Sequence, residues 1–311
     1  MAVKSASRQE LDKRRVAMTS VLAAVALTGL KLFIGLATGS LGILAEAAHS
    51  ALDMTAALVT YLAVFISGKP ADHEHLYGHG KVENLSALFE TLLLLVTCIW
   101  IIHEAIDRLF VKTVEVEASA AAFAVMIVSI VVDVNRSRML ARAARDHNSQ
   151  ALEADALHFR TDIYSSLVVL LGLVLVKTGE WFPQLTQLQK ADALAALGVA
   201  LIVIYISMAL AKRTVAALLD AAPAGLLEQV TALIRRQEGV IDCHKVRIRH
   251  SGPKLFIDAH VLVDGNQSLH AAHDLTEVIE SAIRSQLSNA DVTVHAEPFS
   301  SAEKQQTQTL T

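Results

Sequence analysis

Histidine and aspartate occur twice in this sequence with the same four-residue spacing. His49 precedes Asp53 within LGILAEAAHSALDMTAALVTYLAVF, and His158 precedes Asp162 within ALHFRTDIYSS. Residues four apart lie on one face of a helix, so each pair directs a ring nitrogen and a carboxylate to the same place. The two pairs together supply four ligands for a tetrahedral Zn²⁺ site, and two carboxylates balance the charge of the ion. The spacing therefore predicts a divalent-metal site shared by two helices.

The segments that carry these pairs are long and apolar enough to cross a membrane. The chain has 311 residues, of which 53% are hydrophobic and 19% charged, and its mean hydropathy is +0.44. This balance is typical of an integral membrane protein. A run of about 20 apolar residues spans the hydrocarbon. The apolar runs predict six transmembrane helices, at 16–37, 41–67, 84–108, 117–138, 152–177 and 191–211.

Ionisable side chains inside two of these spans are a functional hypothesis in themselves. Each costs at least about 2.5 kcal/mol at membrane depth. A single histidine there is as well explained by a hydrogen bond to a neighbouring helix. The repetition of the same pair on a second helix favours a metal site over that explanation.

The distribution of basic residues predicts which loops face the cytoplasm. Lysine and arginine concentrate before the first span, between the second and third, around the connection after the fourth, and after the sixth. Since cytoplasmic loops carry the excess of Lys and Arg, both termini are expected in the cytoplasm. The first apolar run lacks a convincing small-residue cleavage site, so it is interpreted as a retained helix and not as a signal peptide.

Charge, cysteine content and one false motif argue against other classes of protein. The formal net charge is -4, the sequence pI is about 6.3, and no nucleic-acid motif is present, so no nucleic acid is expected as a partner. Cys98 and Cys243 provide no disulfide framework. His103 and Glu104 begin a sequence like a metalloprotease helix, but Asp107 stands where the second histidine is required, so no enzyme is expected.

The loop after the second span is rich in side chains that bind divalent metals. KPADHEHLYGHGKVEN contains Asp72, His73, His75 and His79. Such a cluster can hold a cation at the cytoplasmic mouth of the helices. A solvated polar loop explains the composition equally well, and the residues alone leave both interpretations open.

After Asp220 the sequence changes to that of a soluble α+β domain. Residues 223–298 show helical and strand periodicity in the order α-β-β-α-β. The expected organisation is a cytoplasmic tail, a transmembrane domain, a cytoplasmic domain and a disordered polar tail, at 1–15, 16–213, 214–298 and 299–311 respectively.

Metal ligands recur along the cytoplasmic domain. Its predicted strands and second helix carry histidines, and the last strand adds a carboxylate two positions after its histidine; the set is His244, His260, His273, His295 and Glu297. Alternate positions of a strand share one face, so these residues can converge into one or two metal sites. His250 and His270 are alternatives for the same roles.

The motifs HSALD, PADHEHLYGHGKVE and ALHFRTD, with the spaced C-terminal histidines, resemble the cation diffusion facilitator family, close to its bacterial zinc and iron exporters. The resemblance covers about residues 15–298. It implies six transmembrane helices, a cytoplasmic domain of the ferredoxin-like metallochaperone type, and a homodimer in the bacterial inner membrane. It also implies export of a divalent metal in exchange for H⁺ by alternating access, without enzymatic activity.

Carried over position by position, the resemblance assigns metal sites and an ion pair. The transport site comprises His49, Asp53, His158 and Asp162, the loop site Asp72, His75 and His79, and the binuclear cytoplasmic site His244, His260, His273, His295 and Glu297. The resemblance also implies an ion pair between Lys81 and Asp220 at the dimer junction.

Two positions depart from the bacterial relatives that the sequence resembles. Some of those proteins have Asp at the position of His49, and an all-acidic pair there accompanies broader handling of iron and zinc. Zn²⁺ is therefore the expected cargo and the expected regulatory ion, while an exporter that prefers Fe²⁺, Cd²⁺ or Co²⁺ remains an alternative. Glu297 stands where close relatives have Asp, which makes its side chain one methylene longer.

Other functions fit parts of the pattern. A membrane-anchored metal sensor would use the C-terminal ligands without the intramembrane pairs, and an intramembrane metalloenzyme would need an open coordination position and a general base. A channel would share the pore residues but would not couple metal to protons. Asp133 can serve a proton path or pair with Arg136, and Glu46 has no assigned role.

Overall fold

A computed structural model describes residues 2–110, 120–179, 189–287 and 289–299. The chain forms two compact units, Met1–Val215 and Ala216–Thr311. Long helices make up the first unit; they are α1 (Ala2–Thr38), α2 (Leu41–Ser67), α3 (Lys81–Phe110), α4 (Ala120–His147), α5 (Gln150–Gly179) and α6 (Gln189–Leu218). Residues 2–15, expected as a tail, form the first turns of α1.

Among the described residues, four stretches are long and apolar enough to cross a membrane. They are Arg8–Thr38, Glu46–Ser67, Lys81–Asp107 and Leu197–Leu218. They overlap the first, second, third and sixth predicted spans. The fourth predicted span falls on α4, except for residues 117–119, which lie outside the described residues, and the fifth falls within α5.

Short turns join α1 to α2 and α4 to α5. Gly39 has a φ of 67°, and the next residue, Ser40, caps α2 by accepting a hydrogen bond from the amide of Ile43. Asn148 has a φ of 51° before Ser149, whose hydroxyl accepts from the amide of Leu152 at 3.4 Å. These turns pack α1 against α2 and α4 against α5, and α5 also packs against α2 and α3.

The second unit has the predicted order α-β-β-α-β. Its elements are α7 (Leu226–Arg235), β1 (Asp242–Ser251), β2 (Lys254–Asp264), α8 (Leu269–Gln286) and β3 (Ala290–Phe299). The sheet order is β1-β2-β3, with β1 antiparallel and β3 parallel to β2. The predicted fold class, a multi-pass helical membrane domain followed by an α+β domain, is confirmed.

One face of this sheet packs against the two helices. Ile257 and Val261 on β2 are buried with Ile234 of α7 and Ile283 of α8. Because side chains alternate along a strand, His260 lies on the opposite face from these apolar residues. The polar tail predicted at 299–311 lies, after Phe299, outside the described residues.

Candidate metal centres

The intramembrane centre joins α2 to α5 through three side chains. Asp53 Oδ1 lies 3.3 Å from Nε2 of His158. The same nitrogen lies 3.6 Å from Oδ2 of Asp162, one helical turn further along α5. One ligand atom from each residue falls within 4.8 Å of the other two. The site thus presents one imidazole nitrogen and two carboxylates to a common point.

The surroundings of this centre leave two buried polar atoms without hydrogen-bond partners. His158 is buried, with 7% of its surface exposed, and its ring packs edge-on against Phe159. Within the described part of the chain, neither Nδ1 of His158 nor Oδ2 of Asp162 makes a hydrogen bond. A buried polar atom that lacks a partner costs about 1–3 kcal/mol. A cation at this point would offset that cost for the carboxylate.

His49, the fourth predicted ligand, lies beside the other three. Its Nε2 is 3.9 Å from Oδ1 of Asp53, one turn further along α2, and 40% of its side chain is exposed. Among the described residues, the group whose ligand atoms lie within 4.8 Å of one another does not include it. His49 therefore borders the centre through Asp53.

The loop between α2 and α3 brings Asp72, His75 and His79 together. Oδ1 of Asp72 lies 3.3 Å from Nδ1 of His75, and its Oδ2 lies 3.4 Å from Nε2 of His79. The backbone amide of His75 donates to Asp72 at 2.7 Å and that of Glu74 at 3.0 Å. The hydrogen bonds, that from the His75 amide first, hold the pKa of Asp72 below its ordinary value. His73 lies outside this group.

The cytoplasmic centre forms across the three strands. His244, His260 and His295 are neighbours in the register of β1, β2 and β3, so their side chains share one face of the sheet. Glu297 joins them: its carboxylate lies 2.6 Å from Nδ1 of His260 and 3.1 Å from Nε2 of His244. Nε2 of His295 is 3.9 Å from the same carboxylate.

The carboxylate at the cytoplasmic centre is held in its charged form. The hydrogen bond with His260 lowers the pKa of Glu297 below its ordinary value, and the charges of His244 and His260 act in the same direction. The tightest group of ligand atoms comprises His244, His260 and Glu297, with His295 at its edge. The longer side chain of Glu297 still reaches both histidines.

The remaining C-terminal histidines make other contacts. His273 on α8 lies 3.5 Å from Glu277 and is largely exposed, and His270 lies 3.7 Å from Asp274. His250 opposes Leu255 across the β1–β2 pair, and burial lowers its pKa. Within the described part of a single chain, these histidines do not join the group around Glu297.

The proposed dimer-junction residues belong to different units. Lys81 is the first residue of α3 in the first unit. Asp220 follows α6 in the second unit, has a φ of 59°, and its carboxylate lies 3.8 Å from Arg249. The pairing of Lys81 with Asp220 stays a prediction.

Other polar residues of the spans form local contacts. Asp133 lies 3.4 Å from Arg136, as its local pairing predicts. Glu46, which had no assigned role, lies 3.1 Å from Lys31. His103 is 75% exposed and lies 4.0 Å from Asp107, an arrangement of side chains on one helical face.

Sequence reasoning missed two buried groups on α3. Glu83 forms an ion pair with Lys13 at 2.7 Å, and both side chains are almost completely buried. Glu90, two turns further along α3, and Asp155 on α5 are also buried. The available signal was a glutamate within the otherwise apolar run LFETLLLL and an aspartate three positions before His158.

Known protein families match both units of the chain. The family model of the cation efflux transmembrane domain matches residues 17–219, and that of the cytoplasmic domain of cation efflux proteins matches residues 222–299. The chain is 33% identical over 290 residues to an uncharacterized transporter of Synechocystis sp., covering 92% of this chain and 90% of that protein. It is 31% identical over 287 residues to the cation-efflux pump FieF of Cronobacter sakazakii, covering 92% and 93%.

Two solved structures resemble the C-terminal portion. The zinc form of CzrB, a candidate zinc transporter, is 25% identical, with a TM-score of 0.25, and covers 25% of this chain and 91% of that one. A nickel form of a MamM C-terminal-domain variant is 20% identical, with a TM-score of 0.23, and covers 24% and 94%.

The two family models cover nearly the whole described chain, and the two full-length relatives cover 92% of it. The helices also include stretches that can cross a membrane. The protein is therefore an integral membrane protein, a divalent-cation efflux transporter that belongs to the cation diffusion facilitator family.

Proposed function

We propose that this protein exports Zn²⁺ from the cytoplasm in exchange for H⁺ by alternating access. The observation that carries the proposal is the convergence of Asp53 from α2 with His158 and Asp162 from α5. Three ionisable side chains are expensive at membrane depth and are explained by a charged substrate that passes between the helices. Two carboxylates neutralise the charge of a divalent cation.

The donor atoms favour zinc among the divalent metals. Imidazole nitrogen and carboxylate oxygen are ordinary zinc ligands, and zinc prefers four ligands in a tetrahedral arrangement. Closing the 3.9 Å gap between His49 and Asp53 would bring a second nitrogen to the site. Fe²⁺, Co²⁺ and Cd²⁺ remain alternative cargoes, because ligand type and geometry make their affinities for this site differ but do not prevent them from binding.

Proton exchange follows from competition for the same atoms. Metal ligands must be deprotonated to bind, so protons and metal exclude each other at His158 and at the two aspartates. A site that opens to the cytoplasm binds metal, and one that opens to a more acidic outer side exchanges it for protons. No enzymatic step is part of this exchange.

The cytoplasmic centre is suited to regulation by the transported ion. His244, His260 and Glu297 hold a preformed ligand set on one sheet face. Metal bound there changes transport only if its affinity differs between two states of the protein. We place this centre, the loop site and both termini on the cytoplasmic side of the bacterial inner membrane, and infer a homodimer with the ion pair of Lys81 and Asp220 at its junction. His273 stays a predicted ligand of the cytoplasmic site.

Zinc flux into proteoliposomes tests the proposal. Vesicles with a lumen more acidic than the bath should accumulate Zn²⁺, and an ionophore that collapses the pH gradient should stop accumulation. Flux that ignores the gradient would indicate a channel or uniporter. Zinc bound to the cytoplasmic centre without any flux would indicate the membrane-anchored sensor.

A further inference from the structure

Arg136 of α4 is a buried arginine at membrane depth. It lies within the fourth predicted span, and only 4% of its surface is exposed. A guanidinium stays charged at physiological pH, so its burial in a membrane domain is costly and indicates a specific role. Each of its three nitrogens has a hydrogen-bond acceptor, and its central carbon lies over an aromatic ring. These contacts tie α4 to α1 and α5.

A chain of hydrogen bonds leads from Arg136 through α1 to α5. Nε and Nη2 of Arg136 donate to Oγ of Ser20 at 3.3 Å and 3.1 Å. That hydroxyl donates its own proton to Oδ2 of Asp155 at 3.5 Å. Ser20 and Asp155 are 0% and 1% exposed, so bulk water does not reach these contacts. Nη1 of Arg136 donates to Asp133 on α4 itself, at 3.4 Å.

Phe159 connects Arg136 with the transport centre. Cζ of the guanidinium lies 3.6 Å from the centroid of the Phe159 ring. This is a cation–π contact in a dry environment, since Phe159 is 1% exposed. The same ring meets the ring of His158 at an angle of 84°, with the two centroids 5.6 Å apart. Phe159 therefore contacts both the guanidinium and a predicted metal ligand.

The ring of His158 lacks the hydrogen bond that usually orients a metal-binding histidine. Such a histidine commonly donates its second ring nitrogen to a carboxylate, a carbonyl or water, which fixes the direction of the first. Nε2 of His158 faces the carboxylates of Asp53 and Asp162. Within the described part of the chain, Nδ1 makes no hydrogen bond. The orientation of this ring consequently depends on its packing against Phe159.

The chain of hydrogen bonds lies between a buried apolar cluster and the transport centre. Ala17, Leu140 and Leu152, from α1, α4 and α5, belong to that cluster. Each is three or four residues, or one helical turn, from one member of the chain. The members, in the same order of helices, are Ser20, Arg136 and Asp155. On α5, His158 follows Asp155 after one further turn.

We propose that Arg136 is a positioning residue for the transport centre. Through Phe159 it fixes the plane of the His158 ring, and through Ser20 it holds Asp155, one turn before that histidine. A ring that is fixed before the metal arrives loses less rotamer freedom on binding, so the metal binds more tightly. Zinc also requires its ligands in tetrahedral directions. The inference rests on the proposed function, because it takes His158 as a ligand of the transported ion.

Two simpler roles of Arg136 make different predictions. A countercharge for the buried carboxylates needs only a positive charge, which lysine also supplies. A general tie between α4 and α5 is shared with Ser137, which is 3% exposed and donates to the carbonyl of Ala156 at 2.9 Å. Only the positioning role requires a flat guanidinium that covers Phe159 while two of its nitrogens donate to one hydroxyl.

The spectrum of bound Co²⁺ tests the proposal on the full-length chain. Its visible bands report the number and arrangement of the ligands. In a background of His75→Ala and His260→Ala, which disables the loop and cytoplasmic centres, the remaining bands belong to the transport centre. Arg136→Lys and Phe159→Leu should each shift these bands and raise the Kd for Co²⁺ at least about tenfold. Ser137→Ala is the matched control and should preserve both the bands and the Kd.

His158→Ala in the same background separates the positioning role from the assignment of the site. It should abolish the bands, and bands that persist would contradict the transport site and the positioning role together. Bands that His158→Ala abolishes but Arg136→Lys leaves unchanged would overturn the positioning role alone. An equal shift in Ser137→Ala would also overturn it, since helix packing would then be the cause. If Arg136→Lys does not fold, Phe159→Leu carries the test, because it alters no charge.

Zinc flux under a pH gradient provides a second readout. Weaker binding in Arg136→Lys should raise the Zn²⁺ concentration at half-maximal flux at least about tenfold. The maximal rate should stay within about twofold of the native rate, because uniform loss of binding leaves turnover unchanged. A lower maximal rate with unchanged half-saturation would indicate a role in helix movement and would overturn the positioning role. Native flux that ignores the gradient would contradict the antiport proposal, while the Co²⁺ bands would still decide the role of Arg136.

Discussion

Asp53 Oδ1 and His158 Nε2 lie 3.3 Å apart although 105 residues separate them in the chain. This contact joins the two His-x-x-x-Asp pairs into one centre between α2 and α5. The turn of α4 into α5 and the packing of α5 against α2 and α3 create it. The contact brings the two motifs to one place, and the predictions for His49 and His158 rest on it.

Replacement of His49 by Asp should broaden the range of transported metals. His49→Asp exchanges a borderline nitrogen donor, 3.9 Å from Asp53, for a hard oxygen donor. Oxygen ligands favour harder cations, so the ratio of Fe²⁺ to Zn²⁺ transport should rise about tenfold or more. Competition between the two metals in proteoliposomes measures the ratio. An unchanged ratio would mean that His49 does not set selectivity.

Removal of His260 should weaken zinc binding at the cytoplasmic centre. His260 lies 2.6 Å from Glu297 and occupies the middle strand, so His260→Ala removes the ligand between the other two. We expect the affinity of that centre to fall by about tenfold or more. Equilibrium dialysis of the full-length protein measures the bound zinc. His270→Ala, an exposed histidine on α8, is the control and should bind as the native chain does.

The lowered pKa of Glu297 predicts a pH-dependent contribution to the stability of the second unit. Its ordinary value is 4.5, and its folded value is lower because His260 and His244 favour the carboxylate. The contribution is therefore present above about pH 4.5 and is lost as the pH falls through the folded value. With a chelator present, Glu297→Gln should reduce the protection of β2 amides from hydrogen exchange at pH 6.

The same hydrogen-exchange comparison at lower pH tests the direction of the pKa shift of Glu297. The difference between Glu297→Gln and the native chain should shrink as the pH falls below 4.5, after correction for the intrinsic exchange rate. A difference that grows toward acid pH would contradict the assignment of a lowered pKa.

The buried ion pair of Lys13 with Glu83 should be costly to break. Its atoms are 2.7 Å apart, and the two side chains are 1% and 0% exposed. Removing one partner of a buried pair leaves an uncompensated charge and costs about 3–5 kcal/mol. Lys13→Met should lose that much free energy of unfolding in denaturant titrations, and adding Glu83→Gln should restore part of it. Full additivity of the two changes would indicate no coupling between the residues.

Much of the fold was predictable because periodicity is local. The 3.6-residue and two-residue patterns after Asp220 predicted α-β-β-α-β, and the four-residue spacing predicted that His158 and Asp162 share a helix face. The alternate positions of His295 and Glu297 likewise placed both on one strand face. Each of these inferences needs only the geometry of a single element.

The other features depend on how the helices and strands pack against one another, which cannot be inferred from the spacing of residues in the sequence. His273 lies on α8 away from Glu297 in a single chain because the helix turns that face outward. Lys13 is one of the basic residues that precede the first predicted span, and the continuation of α1 buries it beside Glu83.

The most direct measurement compares zinc flux of the native chain with His158→Ala and His103→Ala under an imposed pH gradient. Both histidines lie on membrane helices, but His158 is at the centre of the ligand set and His103 is 75% exposed beside Asp107. We predict that His158→Ala loses at least about tenfold of the flux and His103→Ala retains it. Equal flux in all three proteins would contradict the assignment of the transport site.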